Sequence, residues 1–200
     1  MDVSQAARQR RSVRSFGPQE VPAGLLEEFI DAARGGPSAA NRQPLEYVAV
    51  TDPGVRAEIY PCLKWAAYIA PHGDPQPGHE PTAYIVVLRR ADYELGGMAL
   101  YDVGAALQTI MLLAVAKGLG SCWIKSVNYP KVAGILQVPK SLEVDSVLAL
   151  GYPGEFPSQV DLKPEDAGLE VIKYWRDEEG RHFVPKRALA AVLHKDRYGG

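Results

Sequence analysis

The chain has 200 residues and a formal net charge of -2, the near cancellation of 22 basic and 24 acidic side chains, so no broad basic field recommends nucleic acid as a partner. With 46% hydrophobic residues it has the material for one domain with its own core, which excludes disordered and fibrous classes. Cys62 and Cys122 are too few for a disulfide framework or a thiolate zinc site, the start MDVSQAARQRR lacks the apolar core of a signal peptide, and the run IMLLAVA falls short of a membrane span; a soluble protein of the reducing cytoplasm, with no membrane partner, is expected.

The first feature in chain order is RQRRSVRSF, Arg8 to Phe16, which sets Arg8, Arg10, Arg11 and Arg14 around the hydroxyl of Ser12. Such a run is either a solvated charged face or a preorganised anion site, and in the second case the planar guanidinium fork suits phosphate oxygens. After Pro18 and Pro22, the spacing of Leu25, Leu26, Phe29, Ile30 and Ala33 predicts an amphipathic helix that Gly35, Gly36 and Pro37 stop. LEYVAVTD, residues 45–52, reads as a strand, with Asp52 and Pro53 as the N-cap and first position of a short helix ended by Pro61. The proline-rich stretch 71–81 is a loop, and TAYIVVL after it a buried strand.

Met98 to Lys117 forms a helix apolar nearly all round, interrupted by Asp102, Gln108, Thr109 and Lys117. It must be covered on every side, which favours a dimer interface over a central helix in a monomer. GLGSCWI leads into a short strand, Asn128 and Pro130 open another helix, and VDSVLALGYP is a second buried strand. Beyond Pro153, EVIKYWRDEEGRHFVPKR suggests two extended runs about the turn-like DEEG, and ALAAVLHKDRY a closing helix. Mixed helices and strands with a terminal hairpin give an α+β domain, not a doubly wound sheet.

The glycines of GLGSCW follow a helix instead of opening one, and the third glycine of a dinucleotide fingerprint is missing; they end the helix. His72, Asp74, His79 and Glu80 share one proline-rich loop with no second cluster, a poor metal cage, so no metal is expected. Cys122 has no base that can be placed beside it and reads as an inert buried thiol. Neither a nucleophile elbow nor a P-loop pattern occurs. GGPSAANRQP, Gly35 to Pro44, is at its plainest a polar turn, but its carboxamides donate and accept at once, as the pyrimidine-like edge of a flavin demands.

Together these stretches resemble the FMN-dependent nitroreductase family. RRSVRSF is similar to its N-terminal phosphate motif, PSAANRQP to its PSxxNxQP flavin loop, and YDVGAALQTIMLLAVAKGLGSCWI to its long dimer helix and GLGxxWI turn. LALGYPGE and VPKRALAAVLH are similar to its last core strand and its C-terminal end, so the likeness runs in order over most of the chain. The resemblance implies a nitroreductase-like fold: a central, mostly antiparallel β-sheet flanked by helices, a single domain 1–200 in an intertwined homodimer, and residues 154–200 as an arm wrapping the partner. It also implies FMN at the subunit interface. Arg10, Arg11, Ser12 and Arg14 would face phosphate and ribityl chain, with Arg8 outside; Pro37, Ser38, Ala39, Asn41 and Gln43 would meet the ring, Ile124, Lys125 and Ser126 would lie beside N5, and Lys186 and Arg187 would return to the phosphate.

Two departures from the family pattern stand out. Lys125 and Ser126 occupy positions where many relatives have Gly or Glu-Gly; either the Lys125 backbone N–H makes the contact with the side chain clear of the ring, or its charge stabilises reduced flavin. The region between Tyr60 and Pro81 is short, which leaves Trp65 and Tyr68 as the aromatic groups expected near the pocket mouth. The implied activity takes hydride from NADH or NADPH and reduces a small organic acceptor, nitroaromatic or quinone, by a ping-pong cycle that needs no side-chain acid or base. The alternatives are a non-enzymatic FMN-binding protein for storage or redox sensing, and a specialised relative acting in flavin fragmentation or dehalogenation.

Overall fold

The computed structural model describes residues 1–70, 72–93, 96–166 and 168–199; Pro71, at the start of the expected loop, and Ala167 and Gly200, in the expected arm, lie outside them. At its centre is an antiparallel sheet of β1 (Leu45–Val50), β2 (Ala83–Arg90), β3 (Gly120–Ile124) and β4 (Leu142–Gly151), in the order β1-β2-β4-β3. β2 and β4 lie inside and are covered on both faces, which is why their sequences are continuous apolar runs without alternation.

Each face of the sheet has its own core. On one, α2 (Ala23–Arg34) and α4 (Ala99–Ala116) pack Leu26, Phe29, Leu107 and Ile110 against Ile85, Val87, Leu148 and Leu150. On the other, α3 (Pro53–Ile59) and α5 (Tyr129–Ile135) join the Val13–Phe16 segment over Tyr84, Val86, Val147 and Ala149. The caps read from sequence form: Asp52 Oδ1 accepts from Val55 N at 2.9 Å and Asn128 Oδ1 from Lys131 N at 3.3 Å. A further helix, α1 (Val3–Gln9), starts with a capping box between Asp2 and Gln5 that the sequence reading passed over.

α4 is long and apolar enough to cross a membrane by composition, at 18 residues and mean hydropathy 1.6, yet its inner face is built into the core. Its outer stripe, Tyr101, Ala105, Gln108, Leu112 and Val115, is exposed or half-buried. The helix ends in a Schellman motif: Gly118 sits at φ 79°, Leu119 N donates to Ala114 O at 2.8 Å and Gly118 N to Val115 O at 3.0 Å.

Past Gly154 the chain differs from expectation. The expected turn at DEEG joins β6 (Trp175–Arg176) to β7 (His182–Lys186), but β7 also pairs in parallel with an unexpected β5 (Ser158–Asp161). The first extended run shrinks to those two residues of β6. ALAAVLHKDRY does not form its closing helix; only Leu189–Ala191 make a 3-10 turn. Leu189, Val192 and Leu193 are 70%, 50% and 51% exposed, so within the single chain a helix here has no surface to bury its apolar face on, and a segment this short does not hold helix unaided.

Candidate functional site

The arginine segment is held flat against the end of β3. Ser12 bridges Ser121, Val13 N donates to Ser121 O at 2.9 Å, and Gly17 N and Gly154 N close on Tyr152 O and Ser15 O at 2.8 and 2.7 Å. The approach depends on Gly120, where a Cβ would come within 2.9 Å of three Val13 side-chain atoms. The GLG motif thus ends α4 with its first glycine and admits the arginine strand with its second.

Arg10, Arg11 and Lys186 gather at this edge from opposite ends of the sequence. Burial, and then the charges of Arg10 and Arg11, hold the Lys186 ammonium below its ordinary value. Burial also lowers Arg10, and burial followed by Arg10 lowers Arg11. Arg11 donates to Gln159 Oε1 and, at 2.6 Å, to Arg10 O, while its Nε, Arg14 Nε and Ser121 Oγ are buried without a hydrogen-bond partner among the described residues. Crowded cations beside orphaned donors make a site that a phosphate ester, with charge and several acceptor oxygens, would complete. Arg8 is exposed on α1 and borders the same cavity as Arg11, about 500 Å³ and lined also by Val115, Gly118 and Gly120. Arg187 is elsewhere engaged, donating to Ala191 O at 2.8 Å.

Arg14 and Ser12 serve the segment differently. Arg14 N donates to Glu155 Oε1 at 2.6 Å, and its guanidinium lies 5.1 Å from the centre of the Tyr174 ring. Glu155 also pairs with Arg176 at 2.6 Å and faces His182 Nδ1 at 3.9 Å. Nothing in the sequence marked Glu155, which ties the arginine segment to β6 and β7.

The polar loop stands at the other end of α4. Ser38 Oγ donates to Asp102 Oδ2 at 2.7 Å and accepts from Gln43 N at 2.9 Å, and Ala39 N donates to Asp102 Oδ1 at 3.3 Å. Asp102 is 7% exposed in the first turn of α4, where its charge is also favoured by the helix dipole. Pro37 lines a cavity of about 250 Å³ with Ser38, Gln43, Tyr47 and Asp102; burial, then Asp102, pushes the Tyr47 hydroxyl up to about 12. Ala40, Asn41 and Gln43 all take positive φ, 51°, 52° and 49°, and Gln43 Nε2 donates to Asn41 Oδ1 at 3.1 Å. Three such residues in one short loop store backbone strain of the kind found at binding sites. Asp102 is a residue the functional reading missed, although a lone carboxylate in an apolar helix was its signal.

From Asp102 to Ala116 is about 21 Å along α4 at 1.5 Å per residue, with the loop bonded at the Asp102 end and Arg11 beside Val115 and Gly118 at the other. Ile124 is buried at the end of β3; Lys125 and Ser126 follow it, with Ser126 O accepting from Lys64 N at 2.9 Å and the Lys125 ammonium turned to Asp145 at 3.0 Å. Trp65 is 8% exposed within the core, its Nε1 without a partner among the described residues. Tyr68 is 56% exposed, its ring 5.1 Å from that of Tyr174. His79 exchanges hydrogen bonds with Phe16, and among the described residues no three of His, Cys, Asp and Glu gather as a metal site.

A model of the nitroreductase family matches residues 7–152. A proposed NADH dehydrogenase/NAD(P)H nitroreductase of Methanothermobacter thermautotrophicus is 32% identical over 83% of this chain and 85% of its own length. An NADH dehydrogenase of Thermus thermophilus is 30% identical over 88% of this chain and 97% of its own. Among solved structures, a nitroreductase family protein of Clostridium novyi NT superposes with a TM-score of 0.65 at 24% identity, covering 76% of this chain and 86% of that one.

Proposed function

The chain belongs to the nitroreductase family, and from that premise we propose that it is an FMN-dependent NAD(P)H oxidoreductase that works as a homodimer. The observation that carries this reading is the meeting of Arg10, Arg11 and Lys186, cations from both ends of the chain with no described carboxylate bonded to them. They would hold the phosphate, with Ser12 and Arg14 fixing the strand they stand on. Pro37, Ser38, Ala39, Asn41 and Gln43 form the ring-binding loop, and Ile124, Lys125 and Ser126 the edge against which the ring lies.

The geometry of α4 supports a second subunit. Its open stripe is centred near Gln108, so a two-fold axis there would set the Asp102 end of one copy against the Ala114 end of the other. The polar loop of one subunit then reaches the cations of its partner, and each site takes one half from each chain. The arm, residues 154–200, carries exposed Phe156, Leu169, Leu189 and Val192, apolar surface that a partner would cover. Two buried free thiols, Cys62 and Cys122, agree with a reducing compartment.

When bound, FMN supplies the hydride and electron chemistry, first with NADH or NADPH and then with a small acceptor such as a nitroaromatic or quinone at the same face. The protein's own part is positional. Asp102 holds Ser38 and the Ala39 N–H so that the loop keeps its strained form, and the cation cluster anchors the phosphate end. Neither role needs a side-chain acid or base, which fits a site without a catalytic triad.

Purified protein examined by visible spectroscopy, then mixed with NADH or NADPH under anaerobic conditions, tests the proposal. A yellow protein that bleaches and regains colour with a quinone or nitroaromatic is expected. A colourless protein that takes up no added FMN overturns the cofactor, and a yellow one that never bleaches overturns the enzyme.

A further inference from the structure

Asp145 is an irregularity in an otherwise regular strand. The β2–β4 register runs Val87 against Ser146 and then Leu88 against Val144, so Asp145 is the extra residue of a bulge, a device that re-aims a side chain. Its side chain is 2% exposed, accepts hydrogen bonds from Lys125 Nζ at 3.0 Å and Ser146 Oγ at 2.5 Å, and forms an ion pair with Arg89 at 3.2 Å. Ser146 Oγ in turn accepts from Trp123 Nε1 at 2.9 Å, and Arg89 also pairs with Glu143 at 3.2 Å. A carboxylate this buried persists because cations surround it. The main chain of Lys125 is fixed as well, its carbonyl accepting from Tyr129 Oη at 2.5 Å and from Val127 N at 3.0 Å.

We propose that Asp145 is a positioning residue that draws the Lys125 ammonium back onto β4, cancels its charge, and thereby sets the electron affinity of the flavin. The inference rests on the reading above that the ring lies against Ile124–Ser126. The bulge sets the Asp145 carboxylate as a countercharge 3.0 Å from the Lys125 ammonium. Among the described residues of the cluster, the cations Lys125 and Arg89 are matched by the carboxylates Asp145 and Glu143. Losing Asp145 leaves one positive charge beside the site and favours the reduced, more negative flavin; losing Lys125 leaves one negative charge and disfavours it.

The test compares dissociation constants for FMN and for dithionite-reduced FMN in the wild type, Asp145→Asn, Lys125→Met and the double variant, with circular dichroism to check folding. Asp145→Asn should raise the ratio of reduced to oxidised affinity at least tenfold, a shift of 30 mV for a two-electron couple. Lys125→Met should lower the ratio, and the double variant should return near the wild-type value. Since Lys125 is half-exposed, its variant remains readable if Asp145→Asn fails to fold. If Lys125→Met, and Asp145→Asn where it folds, bind FMN with ratios within twofold of wild type, the inference is overturned while the cofactor assignment stands. A wild type that binds neither form ends both.

Discussion

Ser38 Oγ lies 2.7 Å from Asp102 Oδ2, so a loop hydroxyl that looks free in the sequence is committed to a buried carboxylate in the first turn of α4. Asp102 therefore acts on the loop through Ser38 and the Ala39 N–H. Asp102→Ala should weaken FMN binding about tenfold or more and cost on the order of 1–3 kcal/mol of stability, since two donors lose their acceptor. Fluorescence titration with FMN and urea unfolding measure the two effects. Unchanged binding would detach the loop from the cofactor.

The Arg10–Lys186 cluster predicts discrimination by phosphate. Wild-type protein should bind FMN far more tightly than riboflavin, and Lys186→Ala or Arg10→Ala should lose most of that difference, with about 1.5–3 kcal/mol removed per charged hydrogen bond. Arg187→Ala, at a residue bonded to Ala191 O, should change the difference little. Equal losses from all three would mean that general surface charge, not this cluster, attracts the phosphate.

Gly120→Ala tests how the arginines are positioned. A methyl group there would fall within 2.9 Å of Val13, and the β3 backbone leaves it no escape. The variant should fold less stably by about 1–3 kcal/mol, and its FMN affinity should fall because Arg10 to Arg14 are displaced as a unit. A companion Val13→Ala substitution should restore part of both, read by the same titration.

His182 predicts an acid-sensitive clamp between β7 and the core. Its ring is 2% exposed, and burial, despite the raising effect of Glu155, brings its pKa from 6.5 down to about 4, with Arg14 and Arg176 lowering it further. Above pH 6.5 it is neutral in both folded and unfolded chains. Between pH 6.5 and about 4 the unfolded chain takes the proton and the folded one does not, so stability falls with pH, by a limit on the order of 3 kcal/mol. Urea unfolding of wild type and His182→Gln from pH 7.5 to 4.5 should show a steeper decline in the wild type. Parallel slopes would remove His182 as the cause.

Sequence and structure agree where burial is periodic or continuous. Phe29 and Ala33 announce α2, and VDSVLALG announces β4, because one buried face or two leaves a repeating apolar signal. β5, the polar SQVD, has no such signal; it exists because β7 is beside it. The closing helix fails for the converse reason, since Leu189 and Val192 have helical spacing but nothing within their own chain to pack on. In the candidate site, Arg10, Arg11 and Ser38 were legible as chemistry on a motif. Glu155 and Asp145 were not, because each acts on a motif residue through a long-range contact that spacing does not encode, and Asp102 showed only as a lone carboxylate in an apolar helix, without its partner Ser38.

If the proposed dimer holds, the distance along α4 between the Asp102-anchored loop and the Arg10–Lys186 cations would link cofactor content to protein concentration. In the proposed dimer a solitary subunit would own two unlike halves and complete neither, so assembly and flavin uptake would share one free energy and each would strengthen the other. Dilution should release yellow FMN into solution together with separated subunits, and excess FMN should hold the pair together at concentrations where the apoprotein has come apart.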